Sequence, residues 1–421
     1  INALTQRISG ERDINRLIEK YFESLADTVG FSTAKAYIAH PQYHILLAAQ
    51  AEIEAKIQSY TAKPKTIVSD AYSNPELLAK IRQEIEETLN QVLLEGSQQA
   101  LVAPIRLQQG GAQEVGYVVI QRSEGADFLR EQREIQSTLQ TLTSQLAISL
   151  ENAAFYKTIA EQKQELEESI RYARRIQQAL LPNPELIAYY LPEIFILYLP
   201  KAVVSGDFYW FAEQGSSIYL AAADCTGHGV PGAFMSVLVS NALSYAVSQQ
   251  RISDPGAILE HGVDMQVREK LQAQDGNIRD GAEIALVQID LTTQELFYAG
   301  AKRPLIYYRA GTRYEIPATP RAIADDLSLI GDVRFQTVKL TPQRGDTFYL
   351  FSDGYQDQEG PEKPRLGKRR FYELLDRIHT RPMQEQRRIL EQELLEWKGS
   401  AEQTDDILVI GFRWTFQPQA G

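Results

Sequence analysis

The chain has 421 residues, 44% hydrophobic and 23% charged, which suits two or three globular domains and is unlike a disordered chain. A formal net charge of -12 argues against nucleic acid or an anionic membrane surface as the main partner, since both attract clustered Lys and Arg. One cysteine, Cys225, excludes an intramolecular disulfide and a cysteine-rich zinc site. No Arg closes a loop after Cys225, so thiol-phosphatase chemistry is not supported, and the five histidines are too scattered for a zincin-type pair. The most apolar long segment, Ala233 to Val247, is broken by Ser236, Ser240, Asn241 and Ser244, and nothing approaches the ~18 apolar residues of a membrane span. Ile1-Asn2-Ala3-Leu4 lacks both an initiator Met and a signal-peptide pattern, so the expectation is a cytoplasmic chain excerpted from a longer protein.

In chain order, Ile8, Ile14, Leu17, Ile18, Phe22, Leu25 and Val29 fall near a 3.6 period and predict a helix over residues 1 to about 30. Strand-like runs follow at Lys35–Ala39 and His44–Leu47, then a helical stretch at Pro75–Leu94. The runs Ala100–Ile105 and Gly116–Ile120 flank Gly110-Gly111 and read as a hairpin. A helix from Phe128 to Tyr156 ends in Leu146-Ala147-Ile148-Ser149-Leu150-Glu151-Asn152-Ala153-Ala154-Phe155-Tyr156. Helix, sheet with hairpin and this terminal helix together resemble a GAF sensory domain over residues 1–156; an unrelated α+β domain is the alternative. The resemblance implies a small-molecule or protein signal, but bilin attachment by a thioether is excluded because no cysteine lies there, and His40 and His44 make a weak haem case.

The helix continues to Leu181, where Pro182 and Pro184 stop it. Ile159, Leu166, Ile170, Ala173 and Leu180 step by seven, four, three and seven, a coiled-coil seam interrupted by Lys163 and Gln177. Residues 157–191 therefore read as a coiled-coil linker that pairs two copies in a parallel homodimer stalk, or else as a solvated connecting helix. From residue 192 to 416, strand-like runs recur at Ile194–Leu199, Ile218–Ala222, Ile284–Leu291, Leu296–Ala299, Leu305–Tyr308, Phe335–Leu340, Thr347–Phe351 and Ile407–Phe412. Helical patterns at Pro231–Gln250, Pro255–Gln274, Lys368–His379 and Met383–Glu396 interleave with them and favour an α/β/β/α sandwich. The fold class is α+β throughout.

Acidic signatures punctuate the ends of these runs: Ser205-Gly206-Asp207, Ala223-Asp224-Cys225-Thr226-Gly227-His228-Gly229, Ser352-Asp353-Gly354 and Thr404-Asp405-Asp406. Any one could be a turn residue. Four together suggest carboxylates gathered from different strand ends around hard cations, which suits phosphate-ester hydrolysis.

These motifs, with Gly206-Asp207-Phe208-Tyr209, Val230-Pro231-Gly232-Ala233, Phe351-Ser352-Asp353-Gly354 and Gln403-Thr404-Asp405-Asp406-Ile407, closely resemble the SpoIIE branch of the type 2C metal-dependent protein serine/threonine phosphatases. The resemblance implies two Mn²⁺ or Mg²⁺ ions and direct attack by water. By motif position Asp224 would bridge the ions, the Cys225 carbonyl would add a ligand, Asp353 and Asp405 would hold one ion, and Asp207 would support the other, directly or through water. Asp406, counted with the metal residues, would orient its neighbour; His228 would shape the turn, with proton transfer as the alternative. Where many relatives read Ala-Gly-His-Asn-Pro-Pro, this chain has Ala299-Gly300-Ala301-Lys302-Arg303-Pro304, so no role for that His carries over. Lys302 and Arg303 read as solvated, or as a greeting for an anionic phosphopeptide. Arg279-Asp280-Gly281-Ala282-Glu283 reads as a turn and strand, with an accessory metal as the alternative. The expected substrate is a phosphorylated STAS-type anti-sigma-factor antagonist in partner switching; the competing reading is a catalytically silent sensor or scaffold with a phosphatase fold.

Overall fold

The computed structural model describes residues 11, 13–29, 31, 33–40, 45–53, 60–68, 83, 87, 100–107, 113–121, 128–227, 229–272, 280–326, 333–361 and 363–416. The chain divides into two compact units, Ile1–Leu166 and Glu167–Gly421. Of the expected helix at Pro75–Leu94 only Gln83 and Glu87 are described, both as helix; the Gly110-Gly111 turn, Ile8, His44, His228 and Arg279 lie outside the described residues.

In the first unit, helix α1 (Ile14–Thr28) starts where the Asp13 carboxylate accepts the Arg16 amide, an N-cap that satisfies an otherwise orphan donor. Its apolar stripe, Leu17, Ile18, Tyr21, Phe22 and Leu25, is fully buried. Strands β1 (Thr33–His40), β2 (Ile45–Ile53), β3 (Tyr60–Val68), β4 (Ala100–Leu107) and β5 (Gln113–Gln121) form one antiparallel sheet in the order β3-β2-β1-β5-β4. The expected hairpin is β4–β5; β3 carried no alternation strong enough to be read as a strand. Helix α2 (Phe128–Leu180) is continuous over 53 residues. Ile135, Leu139, Leu142, Leu146, Leu150 and Ala153 complete the first unit's core at helical spacing, while Ile159, Leu166, Tyr172, Ile176 and Leu180 are exposed.

In the second unit, α3 (Pro184–Tyr190) precedes two five-stranded antiparallel sheets. One contains β7 (Phe208–Gln214), β8 (Ser217–Cys225), β9 (Ala282–Asp290), β10 (Glu295–Ala301) and β13 (Val338–Leu340), in the order β13-β10-β9-β8-β7. The other contains β6 (Ile194–Leu199), β11 (Leu305–Arg309), β12 (Thr312–Ile316), β14 (Thr347–Phe351) and β17 (Ile407–Arg413), in the order β12-β11-β14-β17-β6. A two-stranded ribbon, β15 (Glu359–Gly360) with β16 (Lys363–Arg365), lies apart from both.

Strand alternation builds the layers. Along β8, Ile218, Leu220 and Ala222 enter the core between the sheets with Leu350, Leu408 and Ile410 of the second sheet. Tyr219, Ala221, Ala223 and Cys225 point the other way and are covered by α4 (Gly229–Ser248), through Met235, Val239, Leu243 and Ala246. On the far side, α8 (Gly367–Ile378) and α9 (Met383–Lys398) bury Phe371, Leu375, Leu390 and Leu394 against Leu197, Tyr349 and Phe351. The result is the α/β/β/α arrangement. By length and composition α4 could cross a membrane, but its buried face is committed to this core.

Two details depart from the expected pattern. β7 was hidden inside the Gly206-Asp207-Phe208-Tyr209 motif, because its aromatic run does not alternate. The stretch Pro255–Gln274, expected as one helix, is a short α5 (Pro255–Ala257), a π-helical segment Ile258–Asp264, and α6 (Met265–Gln272). A Cβ on Gly262 would lie 2.3 Å from the Ala246 Cβ, so the wide turn rests directly against α4.

Candidate metal centre

Three strand ends and two loops bring the acidic residues to one edge of the sandwich. On β8, Asp224 follows Ala222 in the inward-facing register, one step past the last apolar residue, and its partner on β9 is Glu283. Asp353 leaves β14 as the N-cap of α7 (Gly354–Asp357), yet its side chain makes no capping bond and is free to face the centre. Asp405 and Asp406 precede β17. These groups line a cavity of about 320 Å³ together with Asp207, Cys225, Asp280, Lys302 and Arg303. All the candidate residues in the described part of the chain (Asp207, Asp224, Cys225, Asp353, Asp405 and Asp406) therefore meet at one place.

Glycines permit the approach. A Cβ on Gly354 would stand 1.8 Å from the Asp406 carbonyl oxygen, so only glycine lets the β14 end touch the loop before β17. The Gly227 carbonyl would be 2.5 Å from a Cβ on Gly206 and 2.2 Å from one on Gly232, which ties the Asp224 turn to both the Asp207 loop and α4.

The carboxylates divide by environment. Asp406 is already engaged: one oxygen accepts the Lys201 amide at 2.7 Å, the other the Gly206 amide at 2.8 Å, and its own amide donates to Asp405 at 2.8 Å. It clamps the 201–206 loop and orients Asp405. Asp207 is 2% exposed, and its Oδ2 is buried with no hydrogen-bond partner. Burial first, then the neighbouring Asp224 charge, pushes its carboxyl well above the usual range. Burial likewise pushes Asp224 up to about 7 against the pull of Arg303, with Asp353, Glu283 and Asp405 adding repulsion. Asp405 is also raised, by burial and by Asp353 and Asp406. Burial raises the Cys225 thiol well above its ordinary value, so it packs rather than reacts; its carbonyl oxygen faces Gly206.

Arg303 and Glu283 are the residues whose place the motifs did not reveal. Arg303, expected at the surface, is 7% exposed. Its Nη2 lies 2.8 Å from Asp224 Oδ2, 2.7 Å from Asp353 Oδ2 and 2.7 Å from Glu283 Oε2. Lys302 pairs instead with Asp325 at 3.1 Å. The Asp224–Glu283 register across β8 and β9 was the available signal for Glu283. Among the described residues no three His, Cys, Asp or Glu side chains close into a ready cage for an ion; the guanidinium of Arg303 lies among them.

The donor set nevertheless fits a hard divalent cation. It is all carboxylate oxygen with one backbone carbonyl, and the orphaned, buried oxygen of Asp207 lacks the positive partner that a buried carboxylate requires.

The family described as Stage II sporulation protein E (SpoIIE) matches residues 214–415. Phosphoserine phosphatase RsbU of Bacillus subtilis (strain 168) is 24% identical over 206 residues, 47% of this chain. The chain spans 56% of that relative's length. The solved SiaA-PP2C domain of Pseudomonas aeruginosa is 32% identical, with a TM-score of 0.54, across 61% of this chain and 99% of that one.

Proposed function

We propose, from the premise that the second unit of this chain belongs to the SpoIIE family of metal-dependent, PP2C-type protein serine/threonine phosphatases, that it hydrolyses phosphoserine or phosphothreonine on a protein substrate. The observation that carries the reading is the convergence of Asp207, Asp224, Asp353 and Asp405 on one cavity, with a buried Asp207 oxygen left unpaired. Two Mn²⁺ or Mg²⁺ ions, when bound, would lower the pKa of water and clamp phosphoryl oxygens. Asp224 is the central ligand: its charge raises Asp207, while Asp353 and Asp405 raise it in turn. Asp207 would hold one ion and Asp353 with Asp405 the other, with the Cys225 carbonyl completing the set. Asp406 keeps Asp405 and the 201–206 loop in place through its three backbone bonds.

The first unit is read as a GAF-like sensor over residues 1–156, the 157–191 segment as a linker that pairs two copies, and the substrate as a STAS-type antagonist in cytoplasmic partner switching. Support for control through the linker comes from Gln177. Its amide donates to the Ser205 carbonyl at 2.6 Å and to Ser236 Oγ at 2.9 Å, and its carbonyl accepts the Ser205 amide at 3.0 Å. A residue that looked like a flaw in the seam thus grips both the Asp207 loop and α4. A signal that rotates α2 would act on the Asp207 loop and on α4, the two elements against which the Asp224 turn packs.

The test is Mn²⁺-dependent hydrolysis of a phosphoserine peptide by the full chain. Turnover in the wild type and its loss in both Asp224→Ala and Asp353→Ala supports the assignment. Undiminished turnover in both variants overturns the site; Mn²⁺ binding by calorimetry without wild-type turnover favours the silent scaffold.

A further inference from the structure

Arg303 has an unusual set of neighbours. A single nitrogen, Nη2, has two hydrogens but three carboxylate oxygens within 2.7–2.8 Å, from Asp224, Asp353 and Glu283. The third contact is therefore an unsatisfied charge attraction rather than a hydrogen bond. Nε is buried without an acceptor. The backbone, by contrast, is pinned: the Arg303 amide donates to the Ala301 carbonyl at 2.7 Å, the Tyr298 hydroxyl donates to the Arg303 carbonyl, and Pro304 follows. A fixed backbone with an incompletely bonded side chain beside a cavity of about 320 Å³ can release its guanidinium without unfolding anything.

We propose that Arg303 is a built-in counter-cation that holds Asp224, Asp353 and Glu283 together before metal loading and competes with the divalent ion for Asp224 and Asp353. The inference rests on the reading of these aspartates as metal ligands. A divalent ion on either oxygen of Asp224 would stand a few ångströms from the guanidinium in a poorly screened site, so each cation weakens the other's hold. That antagonism is reciprocal by linkage. Arg303 is a positioning residue here: it sets the spacing of the carboxylates and the affinity of the centre, and leaves Asp224 and Asp353 as the ion arrives. Glu283, one strand over, remains available to receive it.

The experiment is calorimetric titration of Mn²⁺ into the full chain at pH 8, comparing wild type with Arg303→Met, Arg303→Gln and Arg303→Lys. The two uncharged variants should bind Mn²⁺ about tenfold tighter, which is about 1.4 kcal/mol, and Arg303→Lys should stay within about threefold of wild type because it keeps the point charge. Thermal melts give a second readout: without metal the uncharged variants melt lower than wild type, and saturating Mn²⁺ removes most of that gap. Equal or weaker Mn²⁺ affinity in both uncharged variants overturns the inference, as does a gap that Mn²⁺ leaves unchanged, since either marks a purely structural arginine. A wild type that binds no Mn²⁺ overturns the metal-centre reading itself, and this inference with it.

Discussion

Two buried arginines in the second unit show how similar charges serve different ends. Arg321 is 1% exposed and bonds Asp264 at 2.9 Å, lies 3.4 Å from Glu260, and donates to the Val333 carbonyl at 2.6 Å. Its guanidinium also covers the Phe335 ring at 4.3 Å. Asp264 is bonded on both oxygens, one taking the Ala324 amide and the other Arg321 and Arg268, although Arg321 Nε, like Arg303 Nε, is buried without an acceptor. That network staples the π-helical segment to the 321–324 loop. Around Arg303 the balance is reversed, with more carboxylates than one guanidinium can satisfy and a cavity beside them. The first network matches two carboxylates with two guanidinium groups; the second leaves several carboxylates to one.

The strongest way to break the contrast is Arg321→Met. It leaves Asp264 buried and underbonded and should cost about 3–5 kcal/mol of stability in a denaturant melt. At the other site, Asp224→Asn should not lower metal-free stability, because a carboxylate pushed up to about 7 is charged at the fold's expense. The same variant should lose more than about a hundredfold in Mn²⁺-dependent peptide hydrolysis, since groups that merely orient metal ligands already cost 10–100-fold. If Asp224→Asn instead destabilised as Arg321→Met does, the two networks would be alike and the contrast would fail.

Gln177→Ala sharpens the comparison from the linker side. It strips the Ser205 amide and carbonyl of their partner and should cost about 1–3 kcal/mol, read as a lower melting temperature and altered turnover with Asp207 intact. The pH dependence tests the Asp224 carboxylate directly. Between an unfolded carboxylate value near 4 and the folded value of about 7 at Asp224, the folded protein binds more protons. Metal-free stability should therefore fall as pH rises through that window. Mn²⁺ affinity should move the opposite way, weakening below pH 7 by up to about tenfold per unit for each proton displaced. Parallel melts in EDTA and in Mn²⁺ across pH 5–8 check both slopes, and a metal-free melt that rises with pH would contradict the raised Asp224.

Much of the centre was readable because its residues sit at strand ends beside glycine. A carboxylate beside Gly206 or Gly354, or three residues before Gly227, advertises close backbone approach, and each of these glycines does pack against another loop's carbonyl or the α4 start. Arg303 and Gln177 were not readable in the same way. Both looked like polar residues on exposed elements, and their burial comes from partners 20 to 79 positions away for Arg303 and 28 to 59 for Gln177. Asp406 stands between the cases: its motif placed it at the centre, but only the fold shows both oxygens occupied by the amides of Lys201 and Gly206.

From the sequence alone came the layered α/β/β/α order, the helix running past residue 156, and the set of aspartates, because strand alternation, helical period and glycine turns are local properties of the chain. Only the tertiary structure decided which side chains share a charge. Local sequence is blind to that, because the spacing between Arg303, Glu283 and Asp353 depends on how two sheets close on each other, and electrostatic coupling depends on that distance and on the water excluded between them.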